Sequence, residues 1–168
     1  MCGFVGYINK EKDKTENIKK MADLIAHRGP DSEGYYTDKN IALGFRRLSI
    51  IDLKSGSQPI YNEDKSKVII FNGEIYNFES LREELIEKGH EFSTKTDTEV
   101  LVHGYEEWQE KLLDRLRGMF AFVIYDIKSG EMFAARDFYG IKPFYYAKMD
   151  NTLIFGSEIK SFLIHPHF

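Results

Sequence analysis

Cys2 is the only cysteine in the 168-residue chain, and Gly3 beside it leaves it uncrowded. Removal of Met1 would make Cys2 N-terminal, with a thiol and a free α-amine on one residue. In general an α-amine titrates at about 7.7–8.0 and a thiol at about 8.5. Near neutral pH the amine can therefore act as general base for its own thiol. The plainer alternative is a small buried hydrophobe at the start of a strand. A thiol that cleaves an amide also needs preorganised N–H donors and groups that hold the substrate. Asn72-Gly73, at the end of an apolar run, offers a side-chain amide beside a glycine N–H that no Cβ obstructs. Asn-Gly is also a common hairpin signal, although residues 74–77 (EIYN) do not read as a returning strand.

Two further residues suit the ends of an amino-acid substrate. Arg47 carries a guanidinium fork that matches a carboxylate, or is a solvated surface arginine. Asp97 stands where a helix is predicted to begin, as an ordinary cap or as the partner of a substrate ammonium group. Arg28 and Asp31 are expected to fix a loop. The five histidines at 27, 90, 103, 165 and 167 are scattered and show no metal-site spacing. One cysteine excludes an internal disulfide and a thiolate zinc cluster. No glycine-rich phosphate loop is present, so neither a metal nor a nucleotide is expected in this domain.

The remaining composition bounds the setting. Hydrophobic residues make up 42% and charged residues 30%, as in a soluble globular domain with one substantial core. Aromatic residues are 14%, which favours a sheet-rich core. The net charge of -4 argues against nonspecific nucleic-acid binding. No apolar run reaches the length of a membrane span, and no signal-peptide pattern opens the chain. A reducing, cytoplasmic setting is expected, which would keep Cys2 a thiol.

These chemical groups need a frame. Residues 2–8 read as a mostly buried strand with Cys2 at its tip. Thr15 is a plausible cap for a helix marked by Ile18, Met21, Ala22 and Ile25, which ends at the 27–31 stretch HRGPD. Strands are expected at 34–37 and 41–48, joined by a turn at 38–40, and at 59–62 and 67–72. Residues 72–74 should break the last of these. A helix capped by Asn77 or Ser80 then runs to Lys88, and another starts at Thr96-Asp97 with a stripe of Leu101, Tyr105, Trp108 and Leu112. The run GMFAFVIY at 118–125 is apolar on both faces, as a strand covered on each side would be. Strands at 131–135, 144–148 and 152–156 and a short helix at 157–163 complete the chain. Hairpin pairs with clustered helices indicate an α+β fold of two face-to-face antiparallel sheets with helical layers outside, not a parallel α/β fold.

Nine segments occur together and in order: MCGFVGYI, HRGPD (27–31), RLSIID (47–52), QPIYN (58–62), FNGEIYN (71–77), TDTEV (96–100), GMFAFVIYD (118–126), RDFYGIKPFYY (136–146) and FGSEIKSFL (155–163). Together they resemble the N-terminal glutaminase domain of glutamine-hydrolysing asparagine synthetases, class II amidotransferases of the N-terminal-nucleophile type. The resemblance spans residues 1–168 as one domain. It implies a four-layer αββα sandwich. It implies that Cys2, freed of Met1, attacks the carboxamide of L-glutamine, with Asn72 and the Gly73 N–H stabilising the oxyanion. Arg47 would grip the substrate carboxylate. Glu74 and Asp97 would surround the α-amino group, and Leu48, Ser49, Ile50 and Ile51 would line the site largely through backbone groups. A thioester would form, ammonia would leave, and water would release glutamate. The ammonia would pass to a C-terminal synthetase domain that uses aspartate, ATP and Mg. The resemblance leaves a homodimer open, and ammonia donation to another carboxylate. The residues alone also admit a non-catalytic glutamine- or partner-binding module, or a different N-terminal-nucleophile acylase.

Overall fold

The structure, a computed structural model, describes residues 2–10, 13–48 and 56–168. The chain runs β1 (Gly3–Ile8), α1 (Thr15–Asp23), β2 (Ser32–Thr37), β3 (Ile41–Arg47), β4 (Ile60–Tyr61), β5 (Lys67–Ile75), α2 (Phe78–Glu87), α3 (Asp97–Trp108), α4 (Leu112–Arg115), β6 (Gly118–Asp126), β7 (Met132–Arg136), β8 (Tyr145–Met149) and β9 (Thr152–Gly156). One sheet has the order β2-β3-β1-β9-β8 and the other β4-β5-β6-β7, with every pairing antiparallel.

Side-chain alternation along the strands makes three cores. Phe4, Leu43, Phe45, Val68, Ile70, Val123 and Phe155 fill the space between the sheets. Ile69, Phe71, Ile75, Phe122 and Ile124 pack on Leu81 and Leu85 of α2 and on Val100 and Leu101 of α3. Val5, Tyr7, Ala42 and Ile154 pack on Ile18, Met21 and Ala22 of α1. The layers are therefore α1, sheet, sheet, and α2 with α3, which is the αββα sandwich expected. The two-sided burial of β6 follows directly. Phe120, Phe122 and Ile124 face the helices, while Ala121, Val123 and Tyr125 face the other sheet.

Three local expectations are corrected. The residues 72–74 do not break β5, which stays paired with β6 through Asn72↔Ala121, Gly73↔Phe120 and Glu74↔Met119 to Ile75↔Gly118. A Cβ at Gly73 would lie 2.2 Å from the Met119 carbonyl oxygen, so glycine here serves close strand approach and not a turn. At the start of α1, Thr15 is the first helical residue, and its N–H donates to Asp13 Oδ1 at 3.1 Å. Lys14 holds the cap position with no side-chain cap bond, and Asp13, one residue earlier, supplies the oxygen at the helix start. The expected helix at 157–163 is only a single 3₁₀ turn, Ile159–Ser161. The Ser157 N–H donates to the Phe4 carbonyl at 2.9 Å and its hydroxyl accepts from the Phe4 N–H at 3.1 Å. Those bonds extend the β9–β1 pairing and leave few residues free to coil.

Candidate active site

Strand alternation aims three of the candidate groups into the space between the sheets. On β1, Phe4 and Ile8 belong to the inter-sheet core and Cys2 packs against the same cluster. On β3, Ile41, Leu43 and Phe45 face inward, so Arg47 continues that face. On β5, Val68 and Ile70 face inward, and Asn72 follows them. The register Gly3↔Arg46, carried one residue on, sets Cys2 opposite Arg47. The thiol contacts the next residue: the Leu48 N–H lies 3.4 Å from the Cys2 sulfur, and that sulfur is 3.6 Å from the Leu48 carbonyl oxygen. Leu48 thus meets the thiol through its backbone. Ser49, Ile50 and Ile51, also assigned to the site from the sequence, lie outside the described residues, as do Met1 and most of the expected 52–57 loop.

The end of β1 is anchored. Arg28 Nε donates to the Cys2 carbonyl at 3.0 Å, and Arg28 Nη1 donates to Glu158 Oε1 at 3.0 Å. Burial works to raise the Glu158 carboxyl, but Arg28, His27 and Lys160 together hold it below the ordinary glutamate range. Asp31 donates its N–H to the Arg47 carbonyl at 3.0 Å, which ties the turn after α1 to the end of β3.

Asn72 is buried, and its Nδ2 has no hydrogen-bond partner among the described residues. A buried donor left unpaired costs roughly 1–3 kcal/mol, so it marks a place where a ligand acceptor would be bound. Its neighbour Gly73 presents a second donor. In an antiparallel strand, successive residues point their N–H and C=O groups to opposite edges. Tyr76 bonds back toward β6 through the Arg117 carbonyl. Phe71 bonds the other way, giving its N–H to Gln58 Oε1 at 2.6 Å and its C=O to Gln58 Nε2 at 3.0 Å. Ile75 also bonds that way, its N–H reaching Asp97 Oδ2 at 2.9 Å. Gly73 lies between them with the same orientation. Its N–H therefore opens on the edge between Gln58 and Asp97.

Asp97 is the first residue of α3, and Thr96 holds the cap position with extended backbone. The carboxylate reaches the β5 edge from the first turn of α3, where N–H groups of its own helix also face it. Burial pushes its pKa up from the ordinary aspartate value, opposed by N–H donors including that of Ile75, and the charge of exposed Glu74 raises it further. Glu74 and Asp97 form an acidic pair suited to an ammonium group. Arg47 lies across Gly56. A Cβ there would stand 3.3 Å from Arg47 Nη2 and 3.0 Å from Thr96 Cγ2, and the φ of +114° also favours glycine. The guanidinium of Arg47, a residue only 8% exposed, and the start of α3 thus flank one glycine.

Two positioning groups lay unassigned inside recognised segments. Gln58 is buried and replaces a missing β4 residue as the ladder partner of Phe71. Asp137 accepts from the N–H groups of Phe120, Ile141 and Lys142 at 3.2, 2.8 and 2.9 Å, beside the residue paired with Gly73. Only the side-chain type, a polar group before an apolar strand or after one, signalled them. The structure also gathers His90 and His103, which the sequence scatters, into one cluster with Glu63 and Glu106.

The fold, a four-layer αββα sandwich of two antiparallel sheets, is shared with a solved amidotransferase. The structure of glutamine phosphoribosylpyrophosphate amidotransferase from B. subtilis, solved with ADP and GMP, superposes with a TM-score of 0.81 at 23% identity over 97% of this chain and 43% of that one. Residues 1–168 match the glutamine amidotransferase domain family over their whole length, and the chain belongs to that family. The glutamine-hydrolysing asparagine synthetase 1 of Bacillus subtilis (strain 168) is 50% identical over 98% of this chain and 27% of its own length. Asparagine synthetase 2 of Arabidopsis thaliana, also named glutamine-hydrolysing, is 44% identical over 96% of this chain and 28% of its own. The chain thus spans about a quarter of the length of these relatives. Among the described residues no helix is long and apolar enough to cross a membrane.

Proposed function

We propose that this domain hydrolyses the side-chain amide of L-glutamine to glutamate and ammonia. Cys2, once N-terminal, loses its thiol proton to its own α-amine and attacks the amide carbon. The tetrahedral oxyanion accepts hydrogen bonds from Asn72 Nδ2 and the Gly73 N–H. Collapse expels ammonia, which takes up the proton from the α-amine and leaves a thioester on Cys2. A water molecule, deprotonated by the same amine, then releases glutamate. Arg47 receives the substrate carboxylate, and Asp97 with Glu74 receives its ammonium group, while Leu48 to Ile51 line the pocket.

The observation that carries this reading is a pair of adjacent donors: buried Asn72 Nδ2, unpaired among the described residues, and the edge-facing Gly73 N–H. Oxyanion donors must be preorganised, since reorientation during the reaction would cancel their benefit. The similarity to glutamine-hydrolysing asparagine synthetases supports the rest. The ammonia serves ATP-dependent formation of asparagine from aspartate in a following synthetase domain, which would hold ATP and Mg, while the glutaminase domain uses no cofactor. The setting is the cytoplasm. A glutamine analogue with a chloromethyl ketone in place of the carboxamide, which can lose chloride to a thiolate, tests the site. It should alkylate Cys2 alone and be blocked by glutamine. Failure to label Cys2, or labelling that glutamine does not slow, would contradict the assignment.

A further inference from the structure

Far from Cys2 in the chain, Glu63, His90, His103 and Glu106 bring four ligand atoms within 4.8 Å of one another. They come from three segments: the β4–β5 turn, the connection after α2, and α3. His103 is fully buried, and among the described residues neither its Nδ1 nor Glu106 Oε2 makes a hydrogen bond; they meet only the facing charges of the cluster. These two atoms stand 3.6 Å apart. Glu63 Oε2 lies 3.3 Å from His103 Nδ1, and His90 Nδ1 lies 3.0 Å from Glu63 Oε1 and 4.0 Å from Glu106 Oε2. Donors about 2.0–2.1 Å from a tetrahedral zinc are separated by about 3.3 Å; Glu63 Oε2, His103 Nδ1 and Glu106 Oε2 lie close to that spacing, and all four ligand atoms fall within 4.8 Å, so a bound ion would draw His90 inward.

The outer contacts have the form that metal sites use. His103 Nε2 faces Glu99 Oε1 at 3.5 Å, and Glu99 is itself held by the Ser93 and Thr94 N–H and hydroxyl groups. Such a carboxylate fixes the ring orientation and leaves Nδ1 free to ligate. Asn62 Nδ2 donates to Glu106 Oε1 at 2.7 Å, so that oxygen is occupied while Oε2 remains free. Lys67 lies 4.0 Å from Glu106 Oε1, and Glu107 lies 3.8 Å from His90 Nε2; neither stands between the four ligand atoms.

We propose that Glu63, His90, His103 and Glu106 form a site for a divalent transition-metal ion of the zinc class. Two carboxylates balance the charge of the ion. Two imidazoles favour zinc over magnesium or calcium. Four protein ligands leave no open position, so the ion is structural and ties the β4–β5 turn and the α2–α3 connection to α3. Because α3 begins at Asp97, the ion braces the helix that carries that carboxylate.

The test uses protein carrying Cys2→Ala, which removes the competing thiol, after treatment with a chelator. Calorimetric titration with Zn²⁺ should show one site per chain, Zn²⁺ should raise the melting temperature, and Co²⁺ should give the intense visible bands of tetrahedral coordination. Adding Glu63→Gln and His90→Gln, both at the partly exposed side of the cluster, should weaken binding by more than the roughly 10–100-fold that a lost outer-shell contact costs. Absence of one-to-one zinc binding by the Cys2→Ala protein, an octahedral Co²⁺ spectrum, or unchanged affinity in the double substitution would overturn the site. The Co²⁺ spectrum decides the matter even if the substituted protein does not fold.

Discussion

The Ile75 N–H donates to the Asp97 carboxylate at 2.9 Å, two residues beyond Gly73, whose N–H points to the same edge. One hydrogen bond thus sets the start of α3 against the β5 edge at the place where substrate would lie. The proposed amine clamp and the proposed oxyanion donor share one strand, so their spacing is fixed by strand geometry.

Asn72→Ala should lower kcat for glutamine hydrolysis by about 10²–10³-fold, the loss expected for one oxyanion donor. The fold should hardly notice. Among the described residues Asn72 Nδ2 has no partner, so its removal breaks no hydrogen bond to them by that atom. Steady-state kinetics beside thermal melting check both halves. A large fall in melting temperature with unchanged kcat would show a purely structural asparagine.

Gly73→Ala should act in the opposite sense. Its Cβ would stand 2.2 Å from the Met119 carbonyl oxygen, so β5 and β6 must part. A destabilisation of about 1–3 kcal/mol is expected from this overpacking. Chemical denaturation measures it.

Arg47→Ala should raise KM for glutamine more than it lowers kcat, because a charge-assisted bond to the substrate carboxylate is worth about 1.5–3 kcal/mol. Arg47→Lys should recover only part of the loss, since a point charge does not replace a planar fork. Equal KM values across all three proteins would remove Arg47 from the clamp.

Asp97 gives a pH signature. Its folded pKa is raised, by burial first and by Glu74 as well. Proton release from this group is therefore easier in the unfolded chain. Its contribution to stability is present below the unfolded value and lost as pH rises through the folded value, so at neutral pH the charged carboxylate disfavours folding. Binding of an ammonium group needs the charged form. KM for glutamine should therefore climb on acidification at a pH above the ordinary aspartate range, and Asp97→Asn should abolish that limb and weaken binding at neutral pH. The asparagine oxygen can still accept from Ile75, so the variant should be at least as stable as the parent at pH 7. A KM limb that survives in Asp97→Asn would assign the titration to another group.

Much of this arrangement was legible in local patterns. The both-faced apolarity of residues 118–125 announced the central strand, and the repeat of Ile18, Met21 and Ala22 announced α1. Cys2, Arg47 and Asp97 were singled out by chemical type alone. What stayed hidden depends on partners far away in sequence. Asn72-Gly73 looks like a turn until β6 pairs with it. Ser157 is a helix starter until Phe4 claims its backbone and hydroxyl. Gln58 gains a role only when β4 proves too short to reach Phe71. The histidine–carboxylate cluster draws on three separate segments, and no motif spacing can encode that.

The central claim is that Cys2, with its own α-amine free, is the nucleophile. The direct test is ammonia release from glutamine by protein whose N-terminus has been checked by intact mass. Chains that begin at Cys2 should release ammonia. Chains that retain Met1, where the nitrogen is an amide, should be inactive, as should folded Cys2→Ala protein. Equal ammonia release from all three would contradict the account.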